Sequence, residues 1–390
     1  MHQLLLVLQN FIKYPSSTME NIPEYVKGTI LPPDNLNVLE IISIATPPVT
    51  NPPALLLIEN LFSKNSSVIQ DATAARVLLG LSIPGTEDLQ ELKNRACEAK
   101  KNGCISFLYP VRPMTNLQLP LWVLDFWEVA HQVINSKSVW NTSIQWIRSK
   151  GELRALTLFK QLPWTGTLGQ HMTIENLALL CSEKWLSSNY MDLFVTVLDD
   201  ELRLAGILSA SVIPTNFLEK IIGLYRYSQK KYPDEKSVAH IRRLGEALAN
   251  GTYKQVATSV SIRVEDGGSA LPTDMLPGNH WTALILDIER ASLSYADSYL
   301  LPPPGELQDV LKWWLQHHRE ETFKWVNLPC SSQTDCLSCP IFSINAIAHA
   351  LLPTSFSLIP ENGSISARID MLLQIGDFWK RNNTVCHHLH

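Results

Sequence analysis

The sequence predicts an α+β protein in which a mostly helical N-terminal region precedes a domain built on a small central sheet. Three observations support this fold class. The pattern becomes helical from Val68, strand-like segments follow between residues 256 and 327, and an apolar helix comes after them. Helices and strands that are segregated along the chain in this way are typical of α+β domains rather than of alternating βαβ units.

Residues 1–150 are predicted to form a Pro-rich lead followed by helices. Prolines interrupt short apolar pieces between residues 15 and 55, which indicates loops. Helices are expected around Leu89–Lys100 and over Leu121–Arg148, where aromatic and aliphatic residues recur at three- and four-residue steps. Such residues are typically packing residues, so no role is assigned to this region.

Residues 151–390 are predicted to form the second domain. Short helices are expected first, and a polar helix over Glu235–Asn250. Helices are also expected over Glu306–Glu320 and from Ser364 to Arg381. Between them lie four predicted strands: Val256–Val264, Thr282–Ile288, Ser292–Ala296 and Phe323–Asn327.

The stretch Gln333–Leu352 carries the feature around which this domain is organised. Its second half is apolar on nearly every face, which predicts a buried helix. Pro340 is predicted to take the first helical position, where its missing N–H costs nothing, and Cys339 comes just before it. Unpaired N–H groups and the positive end of the helix dipole favour a thiolate at that place.

A thiolate nucleophile needs an imidazole beside it, a group that fixes the imidazole tautomer, and a donor to the developing oxyanion. His280, at the mouth of a predicted strand, is the candidate base. Asp297, at the end of the next strand, is the candidate partner of His280, because adjacent strands can end at the same edge. Gln333 is the candidate oxyanion donor. Asp287 is a rival carboxylate, but it lies within its strand.

The local patterns around these residues are H-W from position 280, Y-A-D-S over 295–298, and a Gln upstream of the Cys. Together they resemble the catalytic blocks of the Ulp/sentrin-specific cysteine protease family. The segment 180–193, which contains Trp185-Leu186, is similar to the opening W-L signature of that family. The resemblance covers roughly residues 161–390 of the chain.

The resemblance implies a papain-like fold and cleavage of ubiquitin-like modifiers such as SUMO. It implies a triad of Cys339, His280 and Asp297, in the family's chain order of His, Asp, Gln and Cys. It also implies that Trp185 and Trp281 cover a narrow tunnel for a Gly-Gly tail. Flat indoles would exclude side chains and admit only a glycine backbone.

The sequence departs from the family pattern at several positions. The family usually has Asn two residues after the Gln, Asp before the Cys and Gly after it, where this chain has Asp335, Ser338 and Pro340. Pro340 removes an N–H next to the nucleophile. Ser187 and Ser188 stand where an acidic residue normally contacts the modifier, so the identity of the modifier is left open. A Trp-rich helical region before such a domain also resembles proteins of fungal mobile elements.

Composition excludes other classes of function. The net charge of −5 and the absence of a basic cluster argue against nucleic-acid binding. No run approaches the ~20 apolar residues that span a bilayer, and the first residues, M-H-Q-L-L-L-V-L, predict a short helix or strand rather than a signal peptide. The odd count of seven cysteines favours a reducing compartment, nucleus or cytoplasm.

Other functions remain open at this stage. Cys336 and Cys339 form C-L-S-C, which suits a redox pair or half of a zinc site with Cys330 nearby, although zinc would need a further pair of ligands. No metal and no cofactor is predicted. The leading hypothesis is a thiol protease or isopeptidase that acts on a ubiquitin-like modifier. The alternatives are a catalytically weak or inactive modifier-binding module and a YopJ-like acyltransferase, which would need an acyl-CoA and a basic site.

Overall fold

A computed structural model describes residues 19–33, 35–50, 55–112, 115–168, 172–264, 270–272 and 278–386. The apolar stretch at the start of the chain lies outside these residues. The chain divides into two compact units. The first comprises residues 1–145, 159–167 and 173–178, and the second comprises residues 146–158, 168–172 and 179–390. The domain boundary predicted after residue 150 stays a prediction.

The elements up to residue 159 include strands as well as helices. In chain order they are α1 Glu24–Ile30, α2 Val38–Ile41, β1 Phe62–Ser63, α3 Ala72–Ala75, α4 Thr86–Lys101, β2 Ser106–Arg112, β3 Thr115–Pro120, α5 Trp122–Lys150 and α6 Arg154–Phe159. The two predicted helices are confirmed as α4 and α5. The antiparallel sheet β1-β2-β3 was not predicted. It packs in the core of the first unit, where Phe107 meets Trp127 edge-on at 5.6 Å.

The second unit is built on a mixed sheet. After a 3₁₀-helix over Ile174–Cys181, its elements are α7 Ser188–Leu204, β4 Ala210–Val212, α8 Asn216–Tyr227, α9 Ala239–Ala249, β5 Gln255–Val264, β6 Ala270–Pro272, β7 His280–Asp287, β8 Ser292–Ala296, α10 Gly305–Gln316, β9 Lys324–Asn327, α11 Cys339–Leu351 and α12 Ser364–Cys386. The strand order is β4-β5-β7-β8-β9, with β6 paired to β5. The four predicted strands are confirmed as β5, β7, β8 and β9, and the α+β fold class is confirmed with them.

Helices cover both faces of this sheet. Alternate residues of β5, such as Val256 and Val260, join the core formed with α8 and α10. Ser259 lies between them on the opposite face, where its hydroxyl accepts a hydrogen bond from Ser343 of α11 at 3.0 Å. Every residue of β7 is buried, as expected for a central strand covered on both sides. Among the described residues, no helix combines the length and the apolar character that a membrane span requires.

The buried helix α11 begins one residue earlier than predicted. Cys339 is its first residue and Pro340 its second, and the helix is buried on nearly every face. The cause lies in the preceding turn, where the Asp335 carboxylate accepts hydrogen bonds from the backbone N–H groups of Leu337 and Ser338, both at 2.7 Å. This turn brings the chain into helical geometry at Cys339.

The first prediction concerns the core beneath α8 and α10. The Tyr232 hydroxyl accepts a hydrogen bond from Trp314 Nε1 at 2.8 Å and bonds to His318 Nε2 at 2.8 Å. Tyr232→Phe leaves both partners without this contact, so we expect a loss of about 1–3 kcal/mol in the free energy of unfolding. Denaturant titration followed by tryptophan fluorescence measures it. The matched control is Tyr227→Phe, because Tyr227 is 72% exposed; equal effects of the two changes would contradict the prediction.

Candidate active site

A buried hydrogen bond joins the ends of two neighbouring strands. His280 opens β7 and Asp297 follows the last residue of β8, and the pairing of Ala283 with Ala296 brings these ends to the same edge of the sheet. The Nε2 atom of His280 lies 2.8 Å from Oδ1 of Asp297, and both side chains are shielded from solvent. The predicted side-by-side placement of the two residues is thus present in the structure.

Residues next to Asp297 fix this pair in place. The backbone N–H of Tyr299 donates to Oδ1 of Asp297 at 2.7 Å, and the Tyr295 hydroxyl approaches Oδ2 at 3.5 Å. The Tyr299 ring stacks on the His280 imidazole, with ring centroids 4.4 Å apart and planes within 17°. The imidazole is therefore held by one hydrogen bond along its edge and one aromatic ring across its face.

The surroundings of His280 favour its protonated form. Burial opposes the charge, but the hydrogen bond to Asp297 and the neighbouring Cys339 side chain outweigh it and raise the pKa of His280 to about 9. An aromatic ring across the face of a cation adds further stabilisation. At neutral pH the ring is thus suited to carry a proton beside the Cys339 side chain.

Cys339 meets this imidazole from the start of α11. Its side chain is buried, and its backbone N–H makes no hydrogen bond to any described residue, as is usual in the first turn of a helix. Because Nε2 of His280 is taken by Asp297, the buried Nδ1, which has no regular hydrogen bond among the described residues, is the nitrogen left for the sulfur. In the neutral ring this nitrogen is the acceptor, ready to take the thiol proton.

Gln333 is anchored next to this pair. Its Oε1 accepts from the Ser298 hydroxyl at 2.6 Å, and its backbone N–H donates to the Ser298 carbonyl at 3.0 Å. Its Nε2 donates one N–H to the Asp335 carbonyl at 2.6 Å, and the amide also interacts with the Tyr299 hydroxyl. The side chain lies in the predicted place, with its donors engaged by neighbouring groups in this state.

Asp335 explains two of the departures from the family pattern. Besides its two backbone contacts, its carboxylate accepts from the Ser338 hydroxyl at 2.7 Å. Burial opposes its charge, but these hydrogen bonds outweigh burial and lower the pKa of Asp335. The Asp335 carboxylate thus holds the turn that leads into Cys339.

Trp185 and Trp281 meet, but they leave no tunnel between them. Their rings stack with centroids 6.0 Å apart and planes within 22°. A peptide between two rings needs about 7–8 Å, which is twice the optimal carbon–carbon contact distance. The space between the Trp185 and Trp281 rings, called the slot below, is therefore closed in this structure. Both Nε1 atoms are buried without an acceptor among the described residues.

The other sequence candidates lie elsewhere or are not assembled. Asp287 is at the far end of β7, where Gln255 and the backbone N–H of Arg290 bind its carboxylate. Cys336 is an exposed free thiol, and burial raises the pKa of Cys330 to about 12. No three His, Cys, Asp or Glu side chains within the described ranges gather so as to hold a metal ion.

Sequence reasoning assigned no role to three residues of this site. Ser298 positions Gln333, Tyr299 stacks on His280, and Arg368 of α12 donates to the Lys184 carbonyl at 2.6 Å. Ser298 and Tyr299 directly follow Asp297, so their place after a functional carboxylate was a usable signal. Arg368 has no such signal, because a single Arg in an amphipathic helix is indistinguishable from a surface residue.

These contacts define a thiol–imidazole–carboxylate constellation. The Cys opens a buried helix, and the His and the carboxylate come from strand ends of the sheet on which that helix packs. The resemblance to the Ulp/sentrin-specific cysteine proteases implied an arrangement of this kind.

No family model matches the chain, and no curated protein matches it. Solved structures similar to it include the SUMO protease Ulp1 with its catalytic cysteine oxidised to a sulfinic acid, at 14% identity and a TM-score of 0.39, covering 55% of this chain and 89% of that one. The C-terminal Ulp1 protease domain in complex with Smt3, the yeast ortholog of SUMO, is 15% identical with a TM-score of 0.36, covering 53% and 83%.

The Xanthomonas campestris effector XopD bound to ubiquitin is also similar, at 18% identity and a TM-score of 0.31, covering 50% of this chain and 92% of that one. The chain is thus similar to Ulp1-type proteases over about half its length. At these identities the chemistry rests on the residues themselves.

The second prediction concerns the charge on His280. We expect its imidazole signal in carbon-13 NMR to titrate at about pH 9. Asp297→Asn removes the carboxylate, so the titration moves to lower pH. Because the folded pKa is raised, the stabilisation by protonated His280 is complete below its ordinary value and is lost as pH rises through about 9.

The control is Asp287→Asn, which removes the rival carboxylate at the far end of β7. The signal is assigned by its absence in His280→Gln. A His280 titration that moves with Asp287→Asn, or that stays in place with Asp297→Asn, would contradict the assignment of Asp297 as its partner.

Proposed function

We propose that the protein is a thiol protease or isopeptidase that cleaves after the Gly-Gly tail of a ubiquitin-like modifier. The observation that carries this proposal is the buried hydrogen bond of 2.8 Å between His280 and Asp297, with Cys339 beside the same imidazole. Modifier conjugates are the proposed partners. The nucleus or cytoplasm is the proposed location, because the low, odd count of seven cysteines favours a reducing compartment.

In the proposed reaction, the Cys339 sulfur attacks the carbonyl carbon of the last glycine, and the C–N bond to the leaving amine breaks. His280 takes the thiol proton and then gives it to that amine. Water, deprotonated by His280, attacks the resulting thioester and releases the tail carboxylate and the free thiol. Asp297 keeps Nε2 protonated throughout, so that Nδ1 faces the sulfur as acceptor or donor as each step requires.

Two donors are available for the negative oxygen that forms during attack. The Cys339 backbone N–H is free of hydrogen bonds to described residues. The Gln333 amide would have to exchange its interaction with the Tyr299 hydroxyl for one with the oxyanion. Pro340, which has no N–H, leaves the site with these two donors. A single oxyanion donor is typically worth a factor of about 10²–10³ in turnover.

The stacked indoles support a requirement for glycine. The Trp281 backbone is paired with Ser261 in the sheet, whereas Trp185 lies in the irregular segment before α7. A tail therefore enters by displacing Trp185. The two buried indole N–H groups, which lack acceptors among the described residues, can then bond to carbonyl oxygens of an extended tail.

A second candidate function is binding of the modifier without turnover. Two observations favour it: the Gln333 amide is engaged by Asp335 and Tyr299, and the nucleophile is buried with the slot closed. Such a module would hold a modifier reversibly through the same groove.

The third prediction separates the two functions. A ubiquitin-like modifier that carries an electrophile in place of its last carboxylate is expected to bond covalently to Cys339, and peptide mass spectrometry locates the adduct. Cys339→Ser abolishes it, whereas Cys336→Ser, which changes the exposed neighbouring thiol, does not. Reversible binding without an adduct for SUMO-type and ubiquitin-type probes alike would support the second candidate and exclude the protease.

The fourth prediction tests the slot. Peptides or modifiers with a Gly-Gly tail are expected to be cleaved strongly in preference to those with Gly-Ala, because one added methyl group meets an indole face. Trp281→Ala should lower turnover by up to about 100-fold, since misplacement by 1 Å can have that effect. The control is Trp325→Ala, a partly buried Trp packed against the core at β9. Equal cleavage of both tails by the parent protein would rule out the slot.

A further inference from the structure

A buried arginine lies behind the nucleophile. Arg368 is on α12 and is only 2% exposed. Its Nη2 donates to the carbonyl of Lys184 at 2.6 Å and, at 3.5 Å, to the carbonyl of Leu337. Lys184 directly precedes Trp185, and Leu337 lies in the turn that leads into Cys339. One guanidinium thus contacts both the segment that contains Trp185 and the turn that leads into Cys339.

Stability alone does not explain this arginine. Among the described residues, Arg368 makes no ion pair, and its buried Nη1 atom has no hydrogen-bond partner. Burial lowers the pKa of Arg368 to about 10, against the favourable charges of Asp335, Glu183 and Cys339. A buried, incompletely bonded cation is usually less favourable than an apolar side chain of similar size. Its presence therefore indicates a task other than filling the core.

The two contacts connect segments that are far apart in sequence. The segment 182–187 is irregular. Among the described residues, the Lys184 carbonyl accepts a hydrogen bond only from Arg368. Trp281 is fixed in the sheet, so the position of Trp185 decides whether the indoles stack or part. A planar guanidinium can bind two acceptors in fixed directions, which a flexible ammonium cannot do.

We propose, on the basis of the function proposed above, that Arg368 is a positioning residue that holds the Trp185 segment and the Cys339 turn in one fixed relation. It acts through the Lys184 and Leu337 carbonyls and touches neither substrate nor the reacting atoms. Its role is to align the slot with the sulfur, so that a tail passing Trp185 arrives with its carbonyl at the nucleophile.

The experiment compares two reagents that differ only in their need for the slot. A hexapeptide ending in Gly-Gly with a C-terminal vinyl sulfone must pass the indoles, whereas iodoacetamide is small enough to reach Cys339 without them. We expect Arg368→Met to lower the rate of adduct formation with the peptide by about 100-fold, with little change for iodoacetamide. The preference for Gly-Gly over Gly-Ala peptides should fall in the same variant.

Two further variants complete the comparison. Arg368→Lys keeps the charge and can reach one carbonyl, so its rate with the peptide should lie between those of the parent and Arg368→Met. Arg381→Met is the control on the same helix, because Arg381 is exposed and pairs with Asp200 and Glu201. Equal losses with both reagents, or no loss with either, would overturn the proposal. If Arg368→Met does not fold, the comparison rests on Arg368→Lys, which should still lose more with the peptide than with iodoacetamide.

Failure of the proposed function gives a different result. In that case the parent protein reacts with iodoacetamide at Cys339 but not with the peptide. Hydrogen exchange then tests the positioning role by itself: Arg368→Lys should speed exchange in residues 182–187 and 334–339 together, with other amides of the second unit unchanged. Unchanged exchange in these two segments would overturn the proposal.

Discussion

The hydrogen bond between His280 and Asp297 imposes a strict condition on the fold, because both partners are buried at strand ends. Without water, each side chain needs hydrogen-bond partners from the protein. The register of β7 and β8 and the turn after Asp297 must therefore both be in place. A slip of one residue in either strand would turn that strand's side chain to the other face of the sheet, away from its partner. The positions of His280 and Asp297 are therefore fixed as firmly as the central strands, although both residues lie at strand ends.

A segment of three residues, 297–299, provides most of the contacts that hold the site. Asp297 binds the imidazole, Ser298 orients the Gln333 amide, and the Tyr299 ring covers the imidazole face. Three consecutive residues can serve three purposes because the chain leaves the β geometry after Ala296 and turns, with Leu300 N–H bonded to the Asp297 carbonyl at 2.9 Å. Because these neighbouring residues contact several parts of the site, the short pattern Y-A-D-S over 295–298 could indicate a site assembled from distant parts of the chain.

The sequence was most informative where one physical requirement acts on many neighbouring residues. Burial on both sides of β7 and around α11 leaves continuous apolar runs, whereas the significance of the order His, Asp, Gln and Cys came from the family resemblance. The β2–β3 hairpin was missed, because Pro110 within β2 and Pro120 at the end of β3 are typical of loops. Arg368 was missed because its role depends on two carbonyls, which are invisible in sequence.

The closed slot is compatible with catalysis when the energies are compared. Separating a stacked aromatic pair costs about 0.5–1.5 kcal/mol beyond the area term, and the indoles stay covered when a tail replaces the lost partner. Each buried N–H without an acceptor costs about 1–3 kcal/mol, and both indole N–H groups are in that condition here. An extended tail of the proposed substrate would offer carbonyl oxygens to both. Opening by a tail of the proposed substrate is therefore favoured, while in its absence the two indoles stay stacked on each other.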